Sequence, residues 1–422
     1  MNHRRLVLIA ALAVPMGVSH ARAEDAAKPA EAPAKWSDTI KIGAQIEAGI
    51  VGNPSGPSNN INYGQLYTDK SNSPQVNQML LSIGRALDPK AEGYDFGFKL
   101  QGMFGSDTRY THFGRLWDKV TRSPYQYSIN EADLYVHAPW LTEGGTDITL
   151  GLFPTPIGFE TIDASTNPFY THSYIYNFGI PVNHSGGYAV QHVTPMLDVY
   201  AGVTGGNQTI IGSDNNSSAS FLGGLKVTLM DGALSVLALT HIGPENASRA
   251  IKPLNASSYN RAYNDIVVTY KATDALTFTT EFNYIREDLG SVQPSGIKNA
   301  EAGGVAQYAA YALNDQWTLN ARAEVFFDTR SYFVGAYPSS QGPIRAVEGY
   351  SYPFIGYSGR QTYGELTFGA TYKPALPDWA GAVTMLVRPE ARIDTVMNGT
   401  ARYNNGKDRT AGLLSMDVVL TY

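Results

Sequence analysis

Residues 40–50 have the sequence IKIGAQIEAGI, in which apolar side chains alternate with polar or small ones along the whole stretch. Successive side chains of a β-strand point to opposite faces, so this pattern predicts a strand with one apolar and one polar face. Its length suits a tilted strand that crosses a bilayer, whereas strands of soluble sheets usually have about 5–6 residues. The stretch therefore favours a membrane-spanning β-strand.

The same alternation recurs along the chain. Clear examples occupy residues 95–104, 276–284, 317–325, 365–372 and 414–422. The chain contains about sixteen such segments, and the part after residue 36 has no convincing helical periodicity. The pattern predicts an all-β protein.

The connections between these segments are alternately short and long. The long ones lie near residues 54–75, 105–126, 154–186, 206–217, 244–260, 288–301, 330–361 and 394–409. Because the bilayer core offers no partner to unpaired backbone groups, spanning strands must close into a barrel. We therefore predict a transmembrane antiparallel β-barrel of about 16 strands, with short periplasmic turns and long extracellular loops. A soluble β-sandwich or propeller is the structural alternative.

The composition excludes several other classes of protein. The 422 residues include no Cys, which excludes a disulfide scaffold, thiolate zinc sites and cysteine nucleophiles. The sequence contains no run of ~18 apolar residues, so it does not predict a membrane-spanning helix. A formal net charge of -6 without a basic stripe disfavours nucleic-acid binding, so no nucleic-acid partner is expected.

The first residues predict an export signal. Residues 1–23 combine a positive start at Arg4 and Arg5 with an apolar stretch and a small-residue cleavage site. Residues 24–36 are rich in Ala, Pro and charge, which predicts a flexible periplasmic tether. The barrel then occupies residues 37–422. We expect export through the Sec pathway to the cell outer membrane of a Gram-negative bacterium.

Aromatic residues mark the predicted membrane interface and the end of the chain. Trp36, Trp140, Trp317 and Trp379 fall at the short-turn end of the predicted strands, where a girdle of amphipathic rings is expected. Tyr422 ends an amphipathic last strand, which is similar to the terminal aromatic signal read by the barrel-assembly machinery. The expected partners are therefore that machinery, outer-membrane lipid and lipopolysaccharide.

Three runs of sequence resemble parts of one known family. Residues 87–99 (LDPKAEGYDFGFK) resemble its early hairpin, residues 151–160 (GLFPTPIGFE) resemble its strand exit, and residues 167–174 (NPFYTHSY) resemble the loop that follows. The family that they resemble is Putative beta-barrel porin-2 (OmpL-like). The resemblance implies an outer-membrane porin-like barrel of Gram-negative bacteria. The resemblance implies no catalytic or ligand-binding residues.

A barrel of about sixteen strands is too wide for side chains to fill, so it should enclose an aqueous channel. The predicted pore-lining residues are Lys99, Glu131, Asp133, Glu281, Arg322, Glu324, Glu365, Arg388, Glu390 and Arg392. Arg388 and Arg392 alternate with Glu390 on one strand, and Glu131 and Asp133 lie near the opposite side. Such facing basic and acidic rows would filter ions. A solvated wall position without a selective role is the simpler interpretation of each residue.

The loop at residues 154–186 follows the fifth predicted strand and is rich in aromatic residues. By position it is similar to the loop that folds into the lumen of general porins and sets their constriction. The predicted constriction residues are Phe159, Glu160, Asp163, Phe169, Tyr170 and Tyr174. A loop that lies outside, over the barrel rim, is the alternative.

The predicted function is a porin that allows passive diffusion of small hydrophilic solutes or ions. The alternative is a structural or adhesive surface barrel with a blocked lumen that binds a partner through its extracellular loops. We expect no enzyme activity, cofactor or metal site. The sequence contains no P-loop, HExxH or GxSxG motif, and His184–Ser185 are adjacent in a predicted loop, where base and nucleophile seldom face each other. Solute identity, gating and homo-oligomerisation stay open.

Overall fold

The computed structural model describes residues 36–114, 116, 123–211, 216–245, 256–289, 298–335 and 359–422. The predicted signal peptide and all of the predicted tether except Trp36 lie outside these residues. No helix in these ranges has the length and apolar character needed to span a membrane.

Sixteen strands form one closed antiparallel sheet. They are β1 (Lys41–Gly52), β2 (Gln75–Arg85), β3 (Asp95–Gly105), β4 (Gln126–Ala138), β5 (Thr146–Pro154), β6 (Asn183–Thr194), β7 (Leu197–Asn207), β8 (Ser220–Leu229), β9 (Leu234–Pro244), β10 (Asn260–Lys271), β11 (Leu276–Asp288), β12 (Asn299–Ala312), β13 (Trp317–Asp328), β14 (Gln361–Tyr372), β15 (Thr384–Asn398) and β16 (Thr410–Thr421). Each strand pairs with its neighbour in sequence, and β1 pairs with β16 to close the ring. The predicted sixteen-stranded barrel is confirmed.

The two faces of the sheet differ as the alternation predicts. On β1, Ile42 and Ile46 point outward and are 64% and 43% exposed, whereas Gln45 and Glu47 point inward and are 5% and 4% exposed. The outer face is therefore an exposed apolar band and the inner face is polar. This is the distribution expected of a barrel that contacts lipid outside and polar groups inside.

The short turns lie at one end of the barrel and the long loops at the other. Trp36, Trp140, Trp317 and Trp379 all lie at the short-turn end, as predicted. Trp36 begins a 3-10 turn before β1, and its indole N–H donates to the carbonyl of Phe96 at 2.9 Å.

The third long loop is shorter than the sequence suggests. It spans residues 155–182 instead of 154–186, because β5 continues to Pro154 and β6 begins at Asn183. His184–Ser185 therefore belong to a strand, and the prediction that they lie in a loop is wrong. The last long loop also begins later than predicted, since β15 continues to Asn398.

Loops fill the barrel interior at the long-loop end. The guanidinium of Arg109 donates to both carboxylate oxygens of Asp69 at 2.9 Å, which ties the second loop to the first. Tyr174 from the third loop stacks on Tyr363 of β14, with ring centroids 5.1 Å apart. The third loop contacts Arg322 near the centre of β13 and Arg388 and Arg392 on β15, and this position makes it the candidate site.

A lysine placed on the outer face tests the orientation of the strands. Phe282, at the middle of β11, is 45% exposed on the outer face, whereas Thr149 on β5 faces the lumen. We expect Phe282→Lys to destabilise the folded protein by about 2–4 kcal/mol, since a lysine near the bilayer midplane loses its hydration. Urea-unfolding titrations in lipid vesicles measure the effect. Thr149→Lys is the control and should cost less, and equal costs would contradict this orientation.

Candidate functional site: a loop held inside the barrel

Residues 155–182, here called the lumen loop, leave the sheet next to two prolines. Pro154 and Pro156 lack the backbone N–H that strand pairing requires, so β5 cannot continue. Gly158 has a φ of +95°, and a Cβ at this position would lie 2.7 Å from a neighbouring side chain. Asp163 then caps a short 3-10 turn by accepting a backbone N–H at 2.9 Å. These residues turn the chain away from the wall and across the lumen.

Three buried glutamates on alternate strands accept the backbone N–H groups of the lumen loop. The pairs are Phe159 N to Glu281 Oε1 at 3.0 Å, Tyr170 N and Thr171 N to Glu390 at 2.9 and 3.1 Å, and Tyr174 N and Ile175 N to Glu324 at 2.6 and 2.8 Å. A typical intramolecular hydrogen bond contributes about 0.5–1.5 kcal/mol to stability. The loop backbone is thus held along much of its length by wall carboxylates.

Three buried arginines bind the carbonyl groups of the same loop. The pairs are Arg322 Nη1 to Thr171 O at 2.8 Å, Arg388 Nη1 to Ala164 O and Asn167 O at 2.7 Å each, and Arg392 Nη1 to His172 O at 2.7 Å. The guanidinium presents several donors in a rigid fork, so one side chain can bind a carbonyl and a carboxylate together. We call Glu281, Glu324, Glu390, Arg322, Arg388 and Arg392 the loop clamp.

Carboxylates compensate the charges of these arginines. Arg322 contacts Glu160 of the loop at 2.6 Å and Glu365 of β14 at 3.0 Å. Arg388 donates to Asp417 at 3.0 Å, and Arg392 lies 2.7 Å from Asp394. A buried ion pair adds little net stability, but removing one partner costs about 3–5 kcal/mol because the other charge stays buried.

Glu160 is the one acid of the lumen loop that joins this network. Burial alone would raise the pKa of Glu160, but the Arg322 guanidinium, the His172 side chain and the Ser173 N–H lower it to about 2. Glu160 is therefore ionised across the physiological pH range and binds the loop to β13.

Amide side chains complete the attachment of the loop. Gln78 donates to Ile162 O at 2.7 Å, and Asn283 donates to Gly179 O at 3.0 Å. Asn320 lies 3.2 Å from the carbonyl of Pro168. The sequence analysis missed these residues. Each occupies an inward position of an alternating strand, and this position could have identified them as candidates.

The six predicted constriction residues all lie inside the barrel, so the loop does not lie over the rim. Glu160, Phe169, Tyr170 and Tyr174 are buried between the loop and the wall, while Phe159 and Asp163 stay partly exposed. The Phe169 ring lies 5.0 Å from the Arg322 guanidinium. Most of the predicted set therefore attaches the loop and does not face open space.

The ten predicted pore-lining residues all point inward, but nine of them are almost fully buried. The exception is Lys99, whose side chain is 37% exposed. The expected basic row facing an acidic row stays a prediction. In the structure Arg322, Arg388 and Arg392 each pair with nearby carboxylates. Lys99 also pairs with Glu131, at 2.6 Å. The charges of Lys99 and the three arginines are therefore compensated, while Glu281, Glu324 and Glu390 accept N–H groups of the loop.

The wall from β3 to β8 stays partly exposed to the lumen. Its partly exposed inward side chains include Lys99, Tyr135, Thr149, Tyr188, Tyr200 and Lys226, and we call these six residues the open wall. The lumen loop presents a polar edge of its own, with Thr161 and Thr166 exposed. Three of the six are tyrosines that the sequence analysis did not select.

Two histidines and two aspartates form a ladder on the open-wall side, nearer the short-turn end. His137 Nδ1 lies 2.6 Å from Asp147, His192 Nε2 lies 3.1 Å from the other oxygen of Asp147, and His192 Nδ1 lies 2.7 Å from Asp198. We call these four residues the His–Asp ladder. In the part of the chain that the structure describes, no group of three or more His, Asp or Glu is arranged to hold a metal ion.

The sequence and the fold now place the protein in a family. The model of the family Putative beta-barrel porin-2, OmpL-like, matches residues 39–422. The chain belongs to this family. It is an outer-membrane porin, and the resemblance noted from its sequence is confirmed. No curated protein matches the sequence.

Solved porins share the fold of this protein. The outer membrane channel DcaP of Acinetobacter baumannii is 11% identical, with a TM-score of 0.54 over 91% of this chain and 96% of that one. OmpF of Salmonella typhi, in complex with daunomycin, is 9% identical, with a TM-score of 0.54 over 91% and 97%. The anion-selective porin of Comamonas acidovorans is 8% identical, with a TM-score of 0.51 over 91% and 98%. At such low identity the likeness is one of fold.

Removing one clamp carboxylate should free part of the lumen loop. In Glu390→Ala the N–H groups of Tyr170 and Thr171 lose their acceptor, so we expect the free energy of local opening there to fall by about 1–3 kcal/mol for each N–H group left without a partner. Hydrogen exchange of the loop, followed by mass spectrometry, measures this change. Glu390→Gln keeps an acceptor oxygen and should have the smaller effect. Unchanged exchange in the alanine variant would contradict the clamp.

The attachment of the loop should weaken in acid. The folded pKa of Glu160 is about 2, below its ordinary value of 4.5, so its contribution is fully present above pH 4.5 and is lost as the pH falls toward 2. We expect loop exchange, corrected for intrinsic rates, to rise across that window. Glu160→Gln should show a smaller rise there. If loop exchange depended equally on pH in the wild-type protein and in Glu160→Gln, protonation of Glu160 would not be the cause of the rise.

Proposed function

We propose that this porin lets small hydrophilic solutes diffuse passively through the space between the lumen loop and the open wall. The observation that carries the proposal is the one-sided attachment of the loop. Its clamp residues lie on β11, β13 and β15, while the inward side chains of the open wall keep part of their surface exposed. A sixteen-stranded barrel is wide enough to hold both a loop and an aqueous path.

The proposal assigns different roles to the predicted residues. Lys99, with Glu131 and Asp133 beside it, lines the path on the wall side, and Phe159 and Asp163 border it on the loop side. The clamp residues set its width by holding the loop, and they do not contact solutes. No catalytic step is assigned to any of these groups.

Because the charges of the clamp arginines are compensated, we expect the channel to have weak ion selectivity. Because the arginines pair with carboxylates next to them, they add little net potential to the path. This differs from a selectivity filter built from rings of like charge. Permeation would then depend mainly on solute size and on contacts with the open wall.

A structural or adhesive barrel with a closed lumen is the second candidate. The packing at the long-loop end favours it, since Tyr67 is buried there with its ring centroid 5.3 Å from that of Tyr110 and 5.2 Å from that of Tyr176. Ion current through the reconstituted protein separates the two candidates, because a closed barrel passes none.

The assembly route forms part of the proposal. We infer that residues 1–23 direct export through the Sec pathway and that the last strand, ending at Tyr422, is recognised by the barrel-assembly machinery. The outer-face apolar band then contacts lipid, and the long loops face lipopolysaccharide. Whether copies associate in the membrane is tested by the mass of the detergent-purified protein.

Single cysteines test the proposed path, and the absence of native Cys makes their labelling specific. We expect a positively charged thiol reagent to reduce the single-channel current of Lys99→Cys and Thr161→Cys, since both side chains border the path. Leu319→Cys is the control, because Leu319 is 45% exposed on the outer face. Currents that fall only in the control, or in none of the three variants, would contradict the path.

A further inference from the structure

The open wall carries an aromatic strip that diffusion alone does not require. Tyr188 on β6 and Tyr200 on β7 have ring planes within 15° of each other and centroids 6.5 Å apart. Tyr135 on β4 lies in the same row, because Tyr135 and Tyr188 both pair with Thr149 of the strand between them. Three tyrosines thus follow one another around the wall that the lumen loop leaves uncovered.

These tyrosines differ from the other inward tyrosines in their exposure. Tyr263, Tyr308 and Tyr363 are 2%, 3% and 0% exposed, whereas Tyr135, Tyr188 and Tyr200 keep part of their surface open. A fully buried tyrosine only packs, whereas a partly exposed tyrosine inside the lumen keeps some surface that a solute can contact. The strip is therefore accessible to a ligand.

Polar groups lie on the short-turn side of the strip. His192 follows Tyr188 by four residues on β6, and Asp198 precedes Tyr200 by two on β7, so the His–Asp ladder borders the tyrosines. The side chains of the ladder are 12–23% exposed. Carboxylates accept strong hydrogen bonds from hydroxyl groups, and histidine nitrogens can donate or accept.

The charge balance of this wall disfavours an ionic ligand. Lys99 pairs with Glu131 at 2.6 Å, and Lys226 lies directly opposite Asp198 in the register of β7 and β8. Lys99 therefore pairs with a carboxylate and Lys226 has one opposite it in register, so an anionic solute would compete with carboxylates at both lysines. A neutral solute with many hydroxyl groups would not.

We propose that the tyrosine strip and the His–Asp ladder form a binding track for neutral carbohydrates. The C–H face of a sugar ring lies against the electron-rich face of a tyrosine, and its hydroxyl groups hydrogen-bond to the ladder. This inference deepens the proposed diffusion function by naming the class of solute that the path takes.

Isothermal titration calorimetry of maltotriose into the detergent-purified full chain tests the track. We expect wild-type protein to bind the trisaccharide and Tyr188→Ala/Tyr200→Ala to bind it about tenfold more weakly, since two aromatic faces are lost. Tyr188→Phe/Tyr200→Phe keeps both faces and should bind nearly as well as wild type. Tyr270→Ala removes a tyrosine that is 38% exposed on the outer face and should leave binding unchanged.

The outcomes separate this inference from the proposed diffusion function. Failure of the wild-type protein to bind maltotriose would overturn the track, and so would equal binding by the double alanine variant. Conductance in planar bilayers is measured on the same preparations. Ion current without sugar binding would leave diffusion standing and remove the track. Sugar binding without ion current would keep the track as a binding site and overturn diffusion.

Discussion

The architecture depends on one interaction, the hydrogen bonding of a loop backbone to glutamate and arginine side chains of the barrel wall. A polypeptide loop inside a barrel brings N–H and C=O groups that need partners wherever water is excluded. The loop clamp supplies both kinds, because Glu281, Glu324 and Glu390 accept N–H groups while Arg322, Arg388 and Arg392 donate to carbonyls. Alternation on the strands places these side chains on the inner face, where the loop lies against them.

The attachment of the loop decides which part of the inner surface a solute can contact. The arginines that hold the loop are buried and paired with carboxylates, so they are not available to attract anions. The surface that stays accessible lies on the other side of the barrel and is made of tyrosine rings, hydroxyl groups and compensated pairs such as Lys99–Glu131. In the proposed function such a wall discriminates by shape and hydrogen bonding more than by charge. One part of the lumen then supports the loop and the other faces the proposed path.

The sequence predicted the fold well because a period of two is a local property. Each strand shows this period independently, as at residues 40–50. The sheet must then close into a barrel, because the bilayer offers no partner to the backbone groups of an open edge. The inward direction of Arg388 and Arg392 followed from the same period. Their role could not be predicted, because it depends on which loop atoms they bind. Those atoms belong to residues 164–172, which lie more than two hundred positions away in sequence. The tyrosines of the open wall were missed for a related reason, since only the three-dimensional position of the loop leaves them uncovered.

Single-channel conductance of a protein with a shortened lumen loop tests the central claim most directly. Replacing residues 159–180 by a short Gly-Ser linker removes the segment that the clamp holds, while resistance of the barrel to SDS at room temperature reports whether it still folds. We predict a folded barrel with a several-fold larger conductance than the full-length protein. A folded barrel with unchanged conductance would contradict the claim that the clamped loop sets the width of the channel.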